Sequence, residues 1–354
     1  MGLFNFLKKT NSKNKEATAI VDAIERPTEE SIKITFANNT IPEDFLDFKA
    51  GQYTNVKLKV NDSNEIRSYS LCSKPKEKFE IAIKAIPNGL ISNHLNENIN
   101  VGDEITITKP EGNFKINQED EKMVCFAAGS GITPILSIAK EIEGSNKRMH
   151  LHYGNKSLET TMFHKELNDL KNTQTLFYFS RKSADNSTQR LDSEFIKKLI
   201  KSNLEILKSD KFLLCGPEQM IIDAKETLKS FGINDEKIIY ELFTSPVKMK
   251  PKSSEETIDF DGESEIEITL DGIKHAFTVK DNKQFILDIA EKKGVDIPFS
   301  CRGGLCCSCR SKVTEGSMKM KVNYALTDEE VKEGYVLACQ AMVNSSKIKL
   351  NFDE

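Results

Sequence analysis

The chain has 354 residues, more than one hydrophobic core usually organises, so we expect two or three domains. Acidic residues outnumber basic ones by 54 to 50, and this balance does not support nucleic-acid binding, which normally requires a basic face. No apolar run approaches the roughly 18 residues that a membrane-spanning helix needs, and the first residues lack a secretory pattern. We therefore expect a cytoplasmic protein without a membrane partner.

Residues 17–115 contain short segments of strand-like sequence, separated by Gly, Pro and Asp. The predicted strands are 18–24, 31–37, 53–60, 79–86 and 104–110. Short strands at this spacing are typical of an antiparallel β-barrel, and we predict that the first domain has this fold.

Two short motifs in this region suit a ligand that carries phosphate. Arg67 offers a planar guanidinium group to a phosphate, while Tyr69 and Ser70 point to opposite faces of a strand. Gly89 opens a turn, and Ser92 can cap a helix whose free N–H groups attract phosphate. Each motif alone is weak, but the two together on one barrel favour a cofactor site.

Residues 120–245 alternate between apolar strands and helical stretches, which predicts a parallel sheet with right-handed crossovers. Nucleotides bind at the C-terminal ends of such strands. Gly129 and Gly131 follow the first strand, Thr133 suits the N-cap of the next helix, and Pro134 suits its first position. Pro134 stands where the usual dinucleotide fingerprint has its third glycine.

A second turn follows another predicted strand and has the sequence Cys215-Gly216-Pro217. It places a thiol and a glycine, which has no side chain, at the same edge of the sheet. Taken alone, Cys215 is more simply interpreted as a small buried hydrophobic residue.

The last 55 residues hold five of the eight cysteines. Cys301, Cys306 and Cys309 follow the spacing C-x4-C-x2-C, and Cys339 comes after 29 further residues. Plant-type ferredoxins hold a 2Fe–2S cluster with this spacing and a distant fourth cysteine. Zinc sites usually carry two C-x2-C pairs, and disulfides need an oxidising compartment, so both fit less well. Cys307 does not fit the ligand spacing and is interpreted as a spectator.

The segments around these cysteines predict a β-grasp-like ferredoxin module at 263–354. A hairpin with the turn Asp271-Gly272 comes first, and a short amphipathic helix that ends at Gly294 leads into the cysteine loop. Residues 246–262 combine proline, serine and mixed charge, which predicts a flexible linker. We expect this linker to let the module swing towards a partner.

Together these motifs resemble the ferredoxin–NADP reductase-like flavoproteins fused to a C-terminal plant-type 2Fe–2S ferredoxin domain. The resemblance covers nearly the whole chain and implies a flavin-binding antiparallel β-barrel, an α/β parallel-sheet domain for the nicotinamide nucleotide and an α+β β-grasp ferredoxin. It implies that Arg67 binds the flavin phosphates and that Tyr69 lies against the isoalloxazine. It also implies that Ser70 and Cys215 line the reacting atoms as catalytic residues.

The resemblance further implies a set of cofactor-binding residues. Those for the flavin are Arg67, Ser68, Tyr69, Ser70, Gly89, Ser92 and Phe243. Those for the nicotinamide nucleotide are Gly129, Gly131, Thr133, Pro134, Ser180, Arg181, Arg190, Cys215, Gly216 and Pro217. The implied cluster ligands are Cys301, Cys306, Cys309 and Cys339.

Two of these sites indicate which cofactors bind. Ser180, Arg181 and Arg190 suit the adenosine 2′-phosphate of NADPH, whereas an acidic residue there would bind a free ribose hydroxyl. A solvated polar loop is the alternative interpretation of this segment. Gly89 and Ser92 favour FAD over the FMN that one group of oxygenase reductases uses.

A hydride carries two electrons and the cluster accepts one, so a flavin is needed between them. The expected path runs from NADPH to FAD, to the cluster and then to a partner protein. The doubled Cys306-Cys307 is similar to the reductase components of the phenylacetyl-CoA epoxidase type, which act in phenylacetate degradation. We therefore expect an oxygenase partner. A reductase for another acceptor, such as a hybrid-cluster protein, and a redox-sensing module without turnover are the alternatives.

Overall fold

The computed structural model of the protein describes residues 15–60, 63–181, 188–243, 260–280 and 283–354. Most of the predicted linker, residues 246–259, and the middle of the predicted 2′-phosphate loop, residues 182–187, lie outside these ranges. None of the helices within them combines the length and the apolar character needed to cross a membrane.

The described part of the N-terminal region folds into a six-stranded antiparallel sheet. Its elements are β1 (Glu16–Thr28), β2 (Ser31–Phe36), α1 (Glu43–Leu46), β3 (Tyr53–Val60), β4 (Ser63–Ser70), β5 (Phe79–Lys84), α2 (Leu90–Asn98) and β6 (Glu104–Thr108). The strand order is β4-β3-β6-β1-β2-β5, and a bridge between Leu71 and Ile81 brings the two outer strands together. The sheet therefore nearly closes on itself around an apolar interior, and the predicted barrel is confirmed.

Helix α2 begins at Leu90 with Gly89 at its N-cap, and Ser92 lies inside the first turn. The Ser92 hydroxyl accepts a hydrogen bond from the N–H of Ile86 and donates one to the C=O of Gly89, both at 3.4 Å. The prediction that Ser92 caps the helix is therefore wrong. A Cβ at position 89 would lie 2.3 Å from the Ser92 Oγ and 2.4 Å from the Ile86 side chain, so these side chains would have to shift to accept a larger residue.

The described part of the middle region forms a five-stranded parallel sheet with helices between the strands. Its elements are β7 (Lys122–Ala128), α3 (Ile132–Ile142), β8 (Arg148–Asn155), α4 (His164–Asp169), β9 (Thr173–Phe179), α5 (Ser193–Ser202), β10 (Lys211–Cys215), α6 (Glu218–Ser230) and β11 (Ile238–Glu241). The order β11-β10-β7-β8-β9 reverses between β7 and β10, which creates a crevice at the C-terminal ends of these two strands. The predicted parallel α/β domain is confirmed.

Helix α3 begins at Ile132, directly after a 3-10 turn over Gly129–Gly131. Thr133 donates its hydroxyl to the C=O of Ser130 at 3.0 Å and caps no helical N–H group. The predicted N-cap role of Thr133 and first-position role of Pro134 are therefore wrong, because the turn runs into the helix without the extended residue that an N-cap needs. Pro134 is tolerated in the first turn, where its missing N–H has no helical partner to lose.

Helix α3 also joins the α/β domain to the barrel. Ser137 donates its hydroxyl to the C=O of Ser73 at 2.6 Å, and Lys140 donates its ammonium group to the C=O of Cys72 at 2.8 Å. The Lys140 Nζ lies 3.8 Å from the buried carboxylate of Glu80 in β5. Because buried polar groups need such partners, these contacts hold the two domains in a defined arrangement.

The described part of the C-terminal region folds as the predicted β-grasp module. Its elements are β12 (Ser264–Leu270), β13 (Ile273–Val279), α7 (Ile286–Lys292), β14 (Arg310–Glu315), β15 (Met318–Met320), α8 (Asp328–Lys332), β16 (Tyr335–Leu337), β17 (Ala341–Val343) and β18 (Lys347–Asn351). The main sheet has the order β13-β12-β18-β14-β16. The predicted hairpin turn is confirmed, since Asp271 and Gly272 have φ values of 53° and 75°. Gly294, with φ at 77°, follows α7 as predicted.

Candidate functional site

A cavity of about 570 Å³ lies between the barrel and the cysteine loop of the ferredoxin module. Arg67, Ser68 and Ser70 from β4 line it together with Cys301 and Cys306. The lining also includes Tyr53, Glu241, Phe243 and Phe299. The structure thus brings the predicted flavin motif and the predicted cluster loop to one space.

Successive side chains of strand β4 point to opposite faces of the sheet. Ser68 and Ser70 line the cavity, and Ser70 donates its hydroxyl to the Glu241 carboxylate at 3.3 Å. Tyr69 packs against the barrel core instead, and burial raises the pKa of its phenol. The predicted contact of Tyr69 with the flavin ring stays a prediction.

The other residues predicted to bind flavin phosphates lie on two elements of the barrel domain. Arg67 is exposed at the cavity, and its guanidinium lies 3.1 Å from the carboxylate of Glu65. Gly89 and Ser92 lie at the start of α2, outside the lining of this cavity. Their joint role in binding the flavin phosphates stays a prediction.

Glu241 is a site residue that the sequence analysis missed. Its carboxylate is reached from the cavity, but the protein around it removes most water and raises its pKa to about 8, against the opposing effect of the Ser70 hydrogen bond. Cys215 lies beside it on β10, fully buried and outside the lining of the cavity, and burial and then the Glu241 charge raise the pKa of its thiol. Its predicted place beside the reacting atoms stays a prediction. Phe243, which exposes 45% of its surface, lines the same cavity. Glu241 could have been identified from the sequence, because it is an acidic residue at the end of an apolar strand.

The two predicted nicotinamide turns meet at the crevice between β7 and β10. A Cβ added at Gly131 would lie 2.1 Å from the C=O oxygen of Cys215, so the backbones of the two turns are in direct contact. Gly129 has a φ of 56°, in the left-handed region that favours glycine. Gly216 continues the second turn, and Pro217 stands at the N-cap of α6. Their position at the reversal of strand order is where sheets of this type bind nucleotides.

The residues predicted to hold the 2′-phosphate lie at the C-terminal end of β9. The N–H groups of Ser180 and Arg181 donate to the C=O groups of Asn155 and Lys156, both at 2.9 Å. These bonds place Lys156, which the sequence analysis did not single out, beside Arg181. Arg190 returns to the same strand end, because the N–H of the preceding residue donates to the C=O of the last residue of β9 at 2.7 Å. The described residues thus bring three cations to one edge of the sheet.

The four predicted cluster ligands converge in the ferredoxin module. The Sγ atoms of Cys301 and Cys306 are 3.2 Å apart, and the N–H of Cys339 donates to the Sγ of Cys309 at 3.5 Å. The Cys339 thiol also contacts the sulfurs of Cys301 and Cys309. Among the described residues, no group of three or more His, Cys, Asp or Glu has the spacing that would bind a single metal ion. The four thiols are instead in contact with one another. Four converging thiols are the donor set that a 2Fe–2S cluster uses.

The cysteine loop already favours a negatively charged sulfur. The N–H groups of Gly303 and Leu305 both point at the Cys301 Sγ at 3.4 Å. Hydrogen bonds from the Cys306 and Cys339 thiols, helped by these amides, lower the pKa of Cys301. The same contacts raise the pKa of Cys306 and of Cys339. The thiolate is the form of cysteine that binds iron, and the two amides directed at the Cys301 Sγ suit a thiolate there.

Cys307 stands apart from these sulfur contacts. Its N–H donates to the hydroxyl of Tyr53 at 2.9 Å, and burial raises the pKa of its thiol. The barrel holds Cys307 through its backbone N–H, and its thiol stays protonated. Both features agree with the interpretation of Cys307 as a spectator.

Three families match successive parts of the chain. The family "Oxidoreductase FAD-binding domain" matches residues 20–116, "Oxidoreductase NAD-binding domain" matches residues 123–226, and "2Fe-2S iron-sulfur cluster binding domain" matches residues 268–344. The chain is 32% identical to a subunit of 1,2-phenylacetyl-CoA epoxidase from Escherichia coli (strain K12), over 94% of this chain and 96% of that protein. It is 27% identical to the "3-ketosteroid-9-alpha-monooxygenase, ferredoxin reductase component" of Rhodococcus rhodochrous, over 94% and 95% of the two chains. Its fold is similar to that of a phthalate dioxygenase reductase, with a TM-score of 0.58, 20% identity and coverage of 95% and 98%.

The three matched domains and the converging thiols define an oxidoreductase that uses FAD, NAD(P)H and a 2Fe–2S cluster. When bound, the flavin takes up two electrons from a hydride and passes them on singly. More particularly, the chain belongs to the ferredoxin–NADP reductase-like flavoproteins that carry a C-terminal plant-type 2Fe–2S ferredoxin domain.

Proposed function

We propose that this protein passes electrons from NADPH through FAD and the 2Fe–2S cluster to a multicomponent oxygenase of the phenylacetyl-CoA epoxidase type. The observation that carries the proposal is the shared cavity, which Ser70 and Arg67 line together with Cys301 and Cys306. A common cavity allows electrons to reach the cluster without a separate carrier. The similarity to the Escherichia coli epoxidase component over nearly the whole length of both chains supports this choice of partner.

The site residues take the following roles in this proposal. Arg67 binds a flavin phosphate, and Ser70, Cys215 and Glu241 surround the position where hydride is transferred. The cluster ligands are Cys301, Cys306, Cys309 and Cys339. The nucleotide is held at the turns that contain Gly129, Gly131, Thr133, Pro134, Gly216 and Pro217. The three domains span residues 17–115, 120–245 and 263–354, with residues 246–262 as the linker.

The preference for NADPH is supported by the cations at the end of β9. The backbones of Arg181, Arg190 and Lys156 come together there, and cations of this kind suit a 2′-phosphate. The cytoplasm is supported by the cysteines, since none of the eight forms a disulfide and the cytosol keeps cysteines reduced.

The test is an anaerobic titration of the purified protein with NADPH, followed by absorption and EPR spectroscopy. We expect the flavin to bleach and a reduced-cluster signal to appear. Protein that is free of iron or flavin after oxygen-protected purification would refute the proposal.

The partner is tested by adding candidate acceptors to the NADPH-reduced protein. We expect rapid reoxidation of the cluster by an epoxidase-type oxygenase and slow reoxidation by a hybrid-cluster protein. The reverse order would favour the second acceptor. A failure to oxidise NADPH with cytochrome c as the acceptor would favour a sensing module without turnover.

A further inference from the structure

A polar network joins the barrel to the cysteine loop next to the shared cavity. Glu111, which follows β6, accepts hydrogen bonds from the Ser308 hydroxyl at 2.8 Å and from the Asn55 side-chain amide at 3.1 Å. The Asn55 amide also lies 3.0 Å from the Ser308 Oγ. The hydroxyl of Tyr53, a residue only 5% exposed, accepts the N–H of Cys307 at 2.9 Å. Ser308 and Cys307 belong to the cysteine loop, and the other three residues belong to the barrel.

The network continues to the strand that carries the flavin motif. Ser68 of β4 donates its hydroxyl to the Asn55 side-chain oxygen at 2.7 Å, and its Oγ lies 2.9 Å from the Ser300 Oγ. Ser300 immediately precedes Cys301, and Cys307 immediately follows Cys306. The first two predicted cluster ligands are therefore held on both sides by residues of the barrel.

Glu111 is the acceptor on which the network depends. The surrounding protein desolvates its carboxylate and raises its pKa, while hydrogen bonds from Ser308, Asn55 and Tyr53 act in the opposite direction. A desolvated carboxylate requires donors, and here they come from both domains. Moving the loop away would leave Glu111 without Ser308 and would leave the N–H of Cys307 without its acceptor.

We propose that Glu111, together with Asn55 and Tyr53, holds the cysteine loop at the flavin cavity and is a positioning residue for electron transfer from the flavin to the cluster. This inference rests on the proposed flavin and cluster sites. Each transfer moves one electron, and no bond forms or breaks at Glu111. Position matters because the rate of electron transfer falls as the distance between the flavin and the cluster grows.

The test uses the full-length protein with its cofactors and the variant Glu111→Gln, which places an amide where the network needs an acceptor. Glu80→Gln is the matched control, because Glu80 is also a buried barrel carboxylate but accepts from Thr35 and faces the α/β domain. Ser308→Ala removes the same contact from the loop side. Hydrogen–deuterium exchange of residues 300–308 in the oxidised protein measures how firmly the loop is held. Rapid-freeze EPR after mixing with NADPH measures how fast the cluster is reduced.

We expect loop exchange to rise about ten-fold in Glu111→Gln, which corresponds to about 1.4 kcal/mol. Cluster reduction should slow, while flavin bleaching by NADPH and the spectrum of the oxidised cluster stay unchanged. Ser308→Ala should raise loop exchange and slow cluster reduction in the same way. Glu80→Gln should change neither the loop exchange nor the rate of cluster reduction.

An unchanged rate of cluster reduction in both network variants overturns the proposal, even if the loop exchanges faster. If Glu111→Gln fails to fold, Ser308→Ala decides the matter alone. Absence of flavin bleaching or of a cluster signal in the unmodified protein would instead refute the proposed function.

Discussion

Replacing Gly131 by alanine should disturb the crevice between β7 and β10. The added Cβ would lie 2.1 Å from the C=O oxygen of Cys215, 2.4 Å from its carbonyl carbon and 2.8 Å from the N of Gly216. All three are backbone atoms, which cannot rotate out of the way, so one turn must move relative to the other. Overpacking of this kind destabilises by about 1–3 kcal/mol. If about 1.4 kcal/mol of this appears at the nucleotide site, NADPH binds about ten-fold more weakly.

The assay is the NADPH dependence of flavin bleaching in anaerobic stopped flow, with denaturant unfolding measured in parallel. Gly154→Ala is the matched control, because Gly154 lies near the same end of β8 and its added Cβ would make ordinary contact, 3.4 Å, with the Leu191 side chain. We expect Gly131→Ala to raise the half-saturating NADPH concentration about ten-fold and Gly154→Ala to leave it unchanged. Wild-type NADPH dependence together with wild-type unfolding in Gly131→Ala would refute the close contact of the two turns.

Three further predictions concern the cluster, the coenzyme and pH. Cys339→Ser should abolish the cluster EPR signal and spare flavin bleaching by NADPH, whereas Cys307→Ser should keep the signal; loss of the signal in both would contradict the ligand assignment. Arg181→Ala and Lys156→Ala should each raise the KM for NADPH far more than that for NADH, and equal effects on both coenzymes would exclude a 2′-phosphate site. Because desolvation raises the pKa of Glu241 from 4.5 to about 8, the native state binds more protons than the unfolded chain between these values. The free energy of unfolding should therefore fall by up to about 1.4 kcal/mol per pH unit across this range, and Glu241→Gln should remove this contribution. Parallel pH curves for the two proteins would contradict the raised pKa.

The elements that sequence reasoning predicted well are those with purely local signals. Strand β7 ends at Ala128, directly before Gly129 as expected, because a buried parallel strand is a continuous apolar run. The turn Asp271-Gly272 was predictable because few residues adopt two successive positive φ values. The starts of α2 and α3 were not predictable in this way. A serine or threonine caps a helix only if its own backbone is extended, and Ser92 and Thr133 both lie inside the first helical turn.

The rest of the site depends on contacts between segments far apart in the sequence. Ser70 meets Glu241 across 171 positions, and Cys307 meets Tyr53 across 254. No period or spacing encodes such pairs, since each depends on how two separately folded domains dock. The sequence therefore predicted the motifs of each domain but neither the shared cavity nor the network around Glu111.

The docked ferredoxin module and the predicted swinging linker are compatible in physical terms. Sixteen residues, 244–259, join the two described parts of the chain, and a chain of that length reaches up to about 55 Å when extended. The loop is held by hydrogen bonds such as Ser308 to Glu111 and Cys307 to Tyr53, each worth a net of about 1 kcal/mol, with Leu305 packed against the α/β domain. Contacts of this size would order the loop at the flavin cavity and still allow it to leave. We therefore expect the same contacts to affect both how well the cluster receives electrons and how readily the module turns to deliver them.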